Sequence, residues 1–411
     1  MALATAGFAG GIPFPGTTGY LSRSSAAVDD GLAKRDLSLA DEFASLLEAG
    51  AYDKLPVLRT GMTNRVLRSL ASRSPALQGT GDGARTPLAA LTERIRKASA
   101  ARPRVQAVQP LTLPADEGAH LRLAEWWYLN GHLQDDAGRP YGYELCFFHV
   151  RPGIAFAHIA VTDVEGRRFH RLRKYFSPFQ CRIPRDKLEL AYGDKQSLSR
   201  IGDFLYRARG DTGDAALDLQ LQLVKQPMMV NGNGLIDMPE GTFSYYYSLT
   251  RLQTEGHLVL DGKRFRVAGV SWMDHQWGNF VTIGVGWDWF AVQLRDGSDL
   301  NIFSFRQGKR QKAQFINRTE ASGQLTSWRS IGIERLAFWK SPVTGYRYVT
   351  HFRLKLPDGR PLEIRARLDD QEMPGHALDP APTYWEGKCV ARLGGKPEVM
   401  GLSYCEQFPY P

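Results

Sequence analysis

Cysteine is scarce in this chain and never closely paired. Its four, Cys146, Cys181, Cys389 and Cys405, are far apart, and without a CxxC spacing they argue against a zinc knuckle and a thioredoxin-like redox site. No run approaches the roughly 18 consecutive apolar residues of a membrane-spanning helix, so no bilayer crossing is expected. The first 28 residues have no basic segment and are interrupted by Gly11, Pro13, Pro15 and Gly16, which speaks against a secretory signal peptide. Their shortage of acid and surplus of Ser and Thr leave an organellar transit peptide as the alternative to the cytoplasmic location expected. GxSxG, GxxxxGK[ST], HExxH and a strand-linked GxGxxG are all missing. What remains is an enzyme working without nucleotide, metal or acyl-enzyme, or a binding protein. No cofactor is expected, and no metal either, because His149 and His158 have no third ligand at a recognisable spacing.

Charge and aromatics then divide the chain near residue 105. Residues 1–53 hold 3 Lys and Arg against 7 Asp and Glu, residues 54–105 hold 11 against 2, and residues 106–411 hold 38 against 34, within a net charge of +9. All nine Trp and all nine His lie beyond residue 105, so the chemistry is expected there. Before it, apolar residues recur at helical spacing around Phe43, Leu46 and Leu47, around Val66, Leu67 and Leu70, and around Leu88, Leu91 and Ile95. Arg59, Arg65, Arg68 and Arg73 surround the second of these; Arg94, Arg96 and Lys97 surround the third. Such basic amphipathic helices either present a solvated face or rest on an anionic membrane or a protein partner. Nucleic acid is not expected, since no stacking aromatics interleave the arginines.

From about residue 106 the pattern is short alternating runs broken by turns, as antiparallel sheet requires. Tyr143, Leu145 and Phe147 alternate, as do Leu217, Leu219, Leu221 and Leu223, implying one face on a core and the other toward water. Asp261-Gly262, Asp296-Gly297 and Asp358-Gly359 read as hairpin turns. About fifteen or more strands are too many for one small barrel and fit two packed sandwiches or barrels. The expected organisation is mainly β: loop and basic helices over 1–105, a first β unit over 106–255 and a second over 256–411.

Three aromatic-polar clusters stand out: Glu125-Trp126-Trp127-Tyr128; Phe243-Ser244-Tyr245-Tyr246-Tyr247-Ser248; and Ser271-Trp272-Met273-Asp274-His275-Gln276-Trp277-Gly278, followed by Gly286-Trp287-Asp288-Trp289-Phe290. Alternate residues of a strand share a face, so Trp272 with Asp274, Tyr245 with Tyr247, and Trp287 with Trp289 should project together, suiting an aromatic cage around a carboxylate. With Tyr141-Gly142-Tyr143-Glu144 and Pro382-Thr383-Tyr384-Trp385-Glu386-Gly387, these clusters resemble in content and order the carotenoid 1,2-hydratase and AttH-like family. The resemblance runs from about Ala124 to the C-terminus. It implies two lipocalin-like β-barrels and one of several activities: hydration of isoprenoid or flavonoid double bonds, or ring-forming cyclisation. In the hydratase branch the Asp of the W/Y-x-D-H motif is the acid, and the matching position is Asp274. Where hydratases carry His and Trp in the second cluster, this chain has Tyr245 and Tyr247, which weighs against carotenoid as substrate.

Hydrating an isolated alkene means protonating carbon, which calls for a carboxylic acid kept neutral near pH 7 by burial among apolar groups. The expected site therefore has Asp274 as acid and His275 as proton relay, with Trp272, Tyr245, Tyr247, Trp277, Trp287, Trp289, Glu125 and Trp127 around a hydrophobic isoprenoid- or polyketide-like molecule. Each has a structural alternative. Asp274 and His275 also read as a hydrogen-bonded pair pinning a strand end, the tryptophans as core, and Glu125 as a partner of Arg151 or Arg251. A hydrophobic pocket with few polar groups also suits a non-catalytic lipid or isoprenoid carrier.

Overall fold

A computed structural model of the chain describes residues 109–410 apart from 121, 151–153, 238–242, 280–285, 308–309, 376–382 and 397. The helices expected before residue 105 lie outside the described residues. Beyond them, strands dominate and form two barrel-like antiparallel sheets; among the described residues no helix is long and apolar enough to cross a membrane.

The first sheet comprises β1 (Ala124–Asp135), β2 (Pro140–Val150), β3 (Ile154–Asp163), β4 (Arg168–Phe176), β5 (Cys181–Arg182), β6 (Glu189–Tyr192), β7 (Gln196–Gly202), β8 (Leu205–Asp211), β9 (Ala215–Leu223), β10 (Met228–Met229), β11 (Leu235–Asp237), β12 (Phe243–Leu260) and β13 (Lys263–Gly278). Its order is β4-β3-β2-β1-β13-β12-β9-β8-β7-β6-β5, with β10 and β11 paired to β12. The second comprises β14 (Gly286–Leu294), β15 (Asp299–Gln307), β16 (Arg310–Thr319), β17 (Leu325–Trp328), β18 (Gly332–Lys340), β19 (Arg347–Lys355), β20 (Pro361–Ala366), β21 (Glu372–Met373), β22 (Tyr384–Leu393) and β23 (Gly401–Gln407). Here the order is β17-β16-β15-β14-β23-β22-β20-β19-β18, with β21 on β22. Residues 256–278, grouped with the second unit from sequence, hydrogen-bond into the first sheet: position 255/256 falls inside β12, and the change of sheet lies between Gly278 and Gly286.

The expected turns are where their chemistry puts them. Asp261 and Gly262, at φ 47° and 79°, form the tight turn between β12 and β13; both central residues need the left-handed region, which Asp tolerates and Gly favours. Gly297 and Gly359 take the same region between β14 and β15 and between β19 and β20.

The main apolar clusters follow from the alternation of side chains. Tyr143, Leu145, Phe147, Leu219, Leu249 and Met273 fill the first sheet's interior, and Phe290, Ile302, Phe352, Leu362 and Trp385 fill that of the second. Tyr128, Cys146, Tyr246 and Trp272 of the first sheet pack against Trp289, Phe305, Phe315 and Tyr404 of the second, forming a third cluster between them. The expectation of one wet face holds for β9, whose Gln220 and Gln222 are exposed, but fails for β1, β2, β14 and the second half of β13 from Ser271 to Gly278, which are buried on both faces. The reason is the second sheet, which covers the face a lone barrel would leave to water.

Candidate functional site

The two sheets meet around a cavity with about 990 Å³ of atom-free space, counting its open mouth. Even-numbered residues of the first sheet form one wall, among them Trp126, Glu144, Tyr246 and Asp274; Trp287, Trp289 and Glu406 belong to the other. On β1, β2 and β13 the odd-numbered residues face the first sheet's own interior.

Asp274 is the best-organised polar group in the wall. Trp272 donates its indole N–H to Oδ1 at 2.6 Å, and the Tyr246 hydroxyl donates to Oδ2. Tyr246 is held in turn: its oxygen receives the Trp289 indole N–H at 3.2 Å and the Asn301 amide at 3.0 Å, which leaves its own proton for Asp274. Burial pushes the Asp274 carboxyl up to about 7, outweighing the hydrogen bonds from Ser248, Tyr246 and Trp272 that favour the anion. Near neutrality it thus exchanges between acid and base forms while facing an apolar space.

Further carboxyls gather at this cavity, Glu144 on Asp274's own wall, Glu406 on the other and Glu386 beside Glu406. Burial, the Asp274 charge adding to it, pushes Glu406 up to about 7 against a hydrogen bond from the Trp287 indole at 2.5 Å. Glu386 is Glu406's direct cross-strand neighbour and accepts from the Tyr128 hydroxyl at 2.5 Å; burial and the charges of Glu144 and Glu406 raise it well above the carboxylate range. Glu144 accepts from the Tyr384 hydroxyl at 2.9 Å, and that hydroxyl meets His158 Nδ1 at 2.6 Å. Burial pushes Glu144 up to about 8, with the nearby Glu406 charge adding to it.

The structure splits the expected site in two. Asp274, Trp287 and Trp289 face the cavity, and Trp272 lies fully buried behind Asp274. His275 points the other way and does not relay protons to Asp274: consecutive strand residues project to opposite faces. Its Nε2 lies 3.0 Å from Glu125, its Nδ1 lies 3.3 Å from the Tyr247 hydroxyl, and its ring stacks on Trp127 at 4.5 Å. Burial lowers His275 to about 4, so it is neutral at pH 7; since a carboxylate only accepts, Nε2 carries the proton and Nδ1 receives Tyr247's. Glu125, which burial would raise, is held down to about 2 by hydrogen bonds from His120 and His275. Arg251, one partner expected for it, instead bonds Asp299 at 2.5 Å; Arg151 lies outside the described residues. Trp277 stacks on His120 at 3.8 Å and on Tyr245 at 5.2 Å, so Tyr245, Tyr247, Trp277, Glu125 and Trp127 belong to this inner cluster. His120, Glu125 and His275 offer ligand atoms within 4.8 Å of one another, a spacing their hydrogen bonds already account for.

A bulge explains why Tyr246, and not its neighbours, reaches Asp274. The Asp261-Gly262 turn pairs Leu260 with Lys263 and keeps that register as far as Leu252 with Ser271; it then shifts so that Ser248 stands opposite Asp274 and Tyr246 opposite Gln276. Without the shift Tyr247 and Tyr245 would share the Asp274 face, because one residue of slip exchanges the faces of a strand. Tyr246 was visible within its cluster but on the wrong parity. Glu144 and Tyr384 lay inside recognised motifs without a role, and Glu406 has no local signal: only the packing of the second sheet brings it near Asp274.

Residues 104–410 match the family model described as AttH-like. The chain belongs to the AttH-like family. Several solved structures share its architecture. An AttH protein of Nitrosomonas europaea superposes with TM-score 0.69 at 27% identity, covering 75% of this chain and 100% of that one. Kievitone hydratase of Nectria haematococca gives TM-score 0.62 at 16% identity, covering 74% and 94%; at that identity the likeness is one of fold. None of the curated proteins matches the chain. The EWWY opening of the AttH-like match is β1, and its Trp-x-Asp-His motif ends β13, paired antiparallel with Glu125 opposite Trp277.

Proposed function

We propose that this AttH-like protein is an acid-catalysing enzyme of the hydratase, isomerase or cyclase type, acting on a hydrophobic isoprenoid- or polyketide-like molecule bound between its two sheets, each a lipocalin-like barrel. The observation that carries this reading is Asp274: a buried carboxyl raised to about 7, gripped by Trp272 and Tyr246, at the wall of an aromatic cavity. In the hydration version, Asp274 gives its proton to the less substituted alkene carbon and the π bond breaks. The tertiary cation left behind faces the rings of Trp287 and Trp289. Water adds its oxygen to that cation and returns a proton to the Asp274 carboxylate, so the acid is regenerated. Trp272 and Tyr246 are positioning residues, setting the orientation and acidity of the carboxyl. The name of one structural neighbour, a hydratase, agrees with this chemistry.

The test is turnover of kievitone and of isoprenoid alkenes in ¹⁸O-water, with product oxygen read by mass spectrometry and binding by fluorescence quenching. Asp274→Asn should lower turnover by about a hundredfold or more, the scale of a general acid, with affinity kept. A ligand bound equally by both proteins and released unchanged would identify a carrier and end the catalytic reading.

A further inference from the structure

The cavity has an electrostatic composition that acid catalysis at Asp274 does not use. Three carboxyls, Glu144, Glu406 and Asp274, and ten aromatic rings face it, and its described lining contains no Lys, Arg or His. Glu144 is fully buried; Tyr384 serves its Oε1, while Oε2 has no hydrogen-bond partner among the described residues. Glu386 Oε2 is likewise unpartnered, and Glu386 stands directly opposite Glu406 on the neighbouring strand. Ionised together, carboxyls in such register would repel, and a buried carboxyl oxygen without a partner costs free energy whether or not it carries the proton. A neutral apolar ligand relieves neither. A positively charged nitrogen would, since it satisfies the free oxygen while its carbon substituents lie on ring faces that attract cations.

We infer that the cavity takes a hydrophobic organic cation, a protonated amine or quaternary ammonium on an aromatic or isoprenoid body, with Glu144 as the charge partner. The inference rests on the cavity being the ligand site of the proposed function and names the class of molecule it admits; it does not depend on the chemistry at Asp274. The groups around Glu144 are Tyr384 and Glu386 from β22, Glu406 and Tyr404 from β23, Tyr128 of β1, Cys146 of its own strand, His158 of β3 through the Tyr384 hydroxyl, and Arg173 of β4, whose guanidinium also bonds the Met373 carbonyl at 3.1 Å. Among them burial and Glu406 dominate and hold Glu144 at about 8. A bound cation requires its anion, so affinity rises with pH toward that value and binding releases a proton.

Calorimetry on the full chain with tryptamine and its neutral alcohol isostere, tryptophol, at about pH 6 and about pH 8.5 tests this. The amine should bind about tenfold tighter at the higher pH, the scale of a desolvated cation–π contact, with less advantage at the lower pH and heats that vary with the buffer's ionisation enthalpy. Glu144→Gln should abolish the preference. Equal or absent binding of both compounds, a preference independent of pH, or one that Glu144→Gln leaves unchanged would overturn the inference; should that variant fail to fold, the wild-type pH comparison decides alone. Asp274→Asn separates the two readings: loss of turnover with the amine preference intact supports both, and intact turnover with that preference removes only the acid role.

Discussion

Tyr246 and Glu144 show how single side chains set the chemistry of the cavity. Tyr246 donates to Asp274 and so favours its anion. Tyr246→Phe removes that donor, and the Asp274 carboxyl should become a weaker acid, so the alkaline limb of the pH–rate profile should move upward from about 7. Tyr247→Phe, which removes only the 3.3 Å bond to His275, should leave that limb in place and cost about 1 kcal/mol in denaturant titration. The acid form of Glu144 is favoured in the folded state, raised by burial to about 8 from 4.5, so the folded protein holds this proton more tightly than the unfolded chain. The corresponding stability is complete below about pH 4.5 and is lost as pH rises toward 8. Glu144→Gln cannot ionise, so the melting temperature of the variant relative to wild type should climb between about pH 5 and pH 8; a difference flat in pH would refute the burial argument.

At the scale of elements, the pairing of β1, β13 and β12 determines which residues see the cavity. Gly269 is essential to it: a Cβ there would lie 1.9 Å from the His132 carbonyl oxygen on β1, and backbone cannot yield as a flexible side chain does. Gly269→Ala should cost about 2 kcal/mol or more, the scale of overpacking, seen as a lower urea midpoint. Much at this scale was legible from sequence. The alternation of Tyr143, Leu145 and Phe147, the Asp-Gly turns, and the common face of Trp272 with Asp274 and of Trp287 with Trp289 all follow from local rules of pleat and turn. The face of Tyr245 and Tyr247 was not legible, because it depends on the register shift between Leu249 and Leu252, for which no turn residue gives notice.

The whole molecule is tied together by buried contacts between its two sheets. Asp299, fully buried on β15, accepts from Lys225 at 2.8 Å, from Arg251 at 2.5 Å and from Thr250 at 2.9 Å, all on the first-sheet side. Gln293 of β14 reaches the carbonyls of Thr250 and Ser271 at 2.7 and 3.1 Å. Asp299→Ala would leave two cations facing each other without their anion, and a loss of about 3 kcal/mol or more is expected, as for a broken buried ion pair. Since the clamp joins both sheets, near-ultraviolet dichroism and intrinsic fluorescence should report one coincident unfolding transition in wild type; separate transitions would show the sheets to be independent.

The sequence by itself determined the β class, the turns, the order of the aromatic clusters and the common face of Trp272 with Asp274, because all of these rest on interactions between residues close along the chain or on motifs held within one strand. Only the tertiary structure decided that His275 is sealed inside the first sheet while Asp274 opens onto the cavity between the two, that Tyr246 is its partner, and that Glu144 beside it and Glu386 and Glu406 of the second sheet gather around the same space. A carboxyl's acidity depends on what buries it, and what buries these four is the face of another sheet, brought there by packing that no local pattern in the chain records.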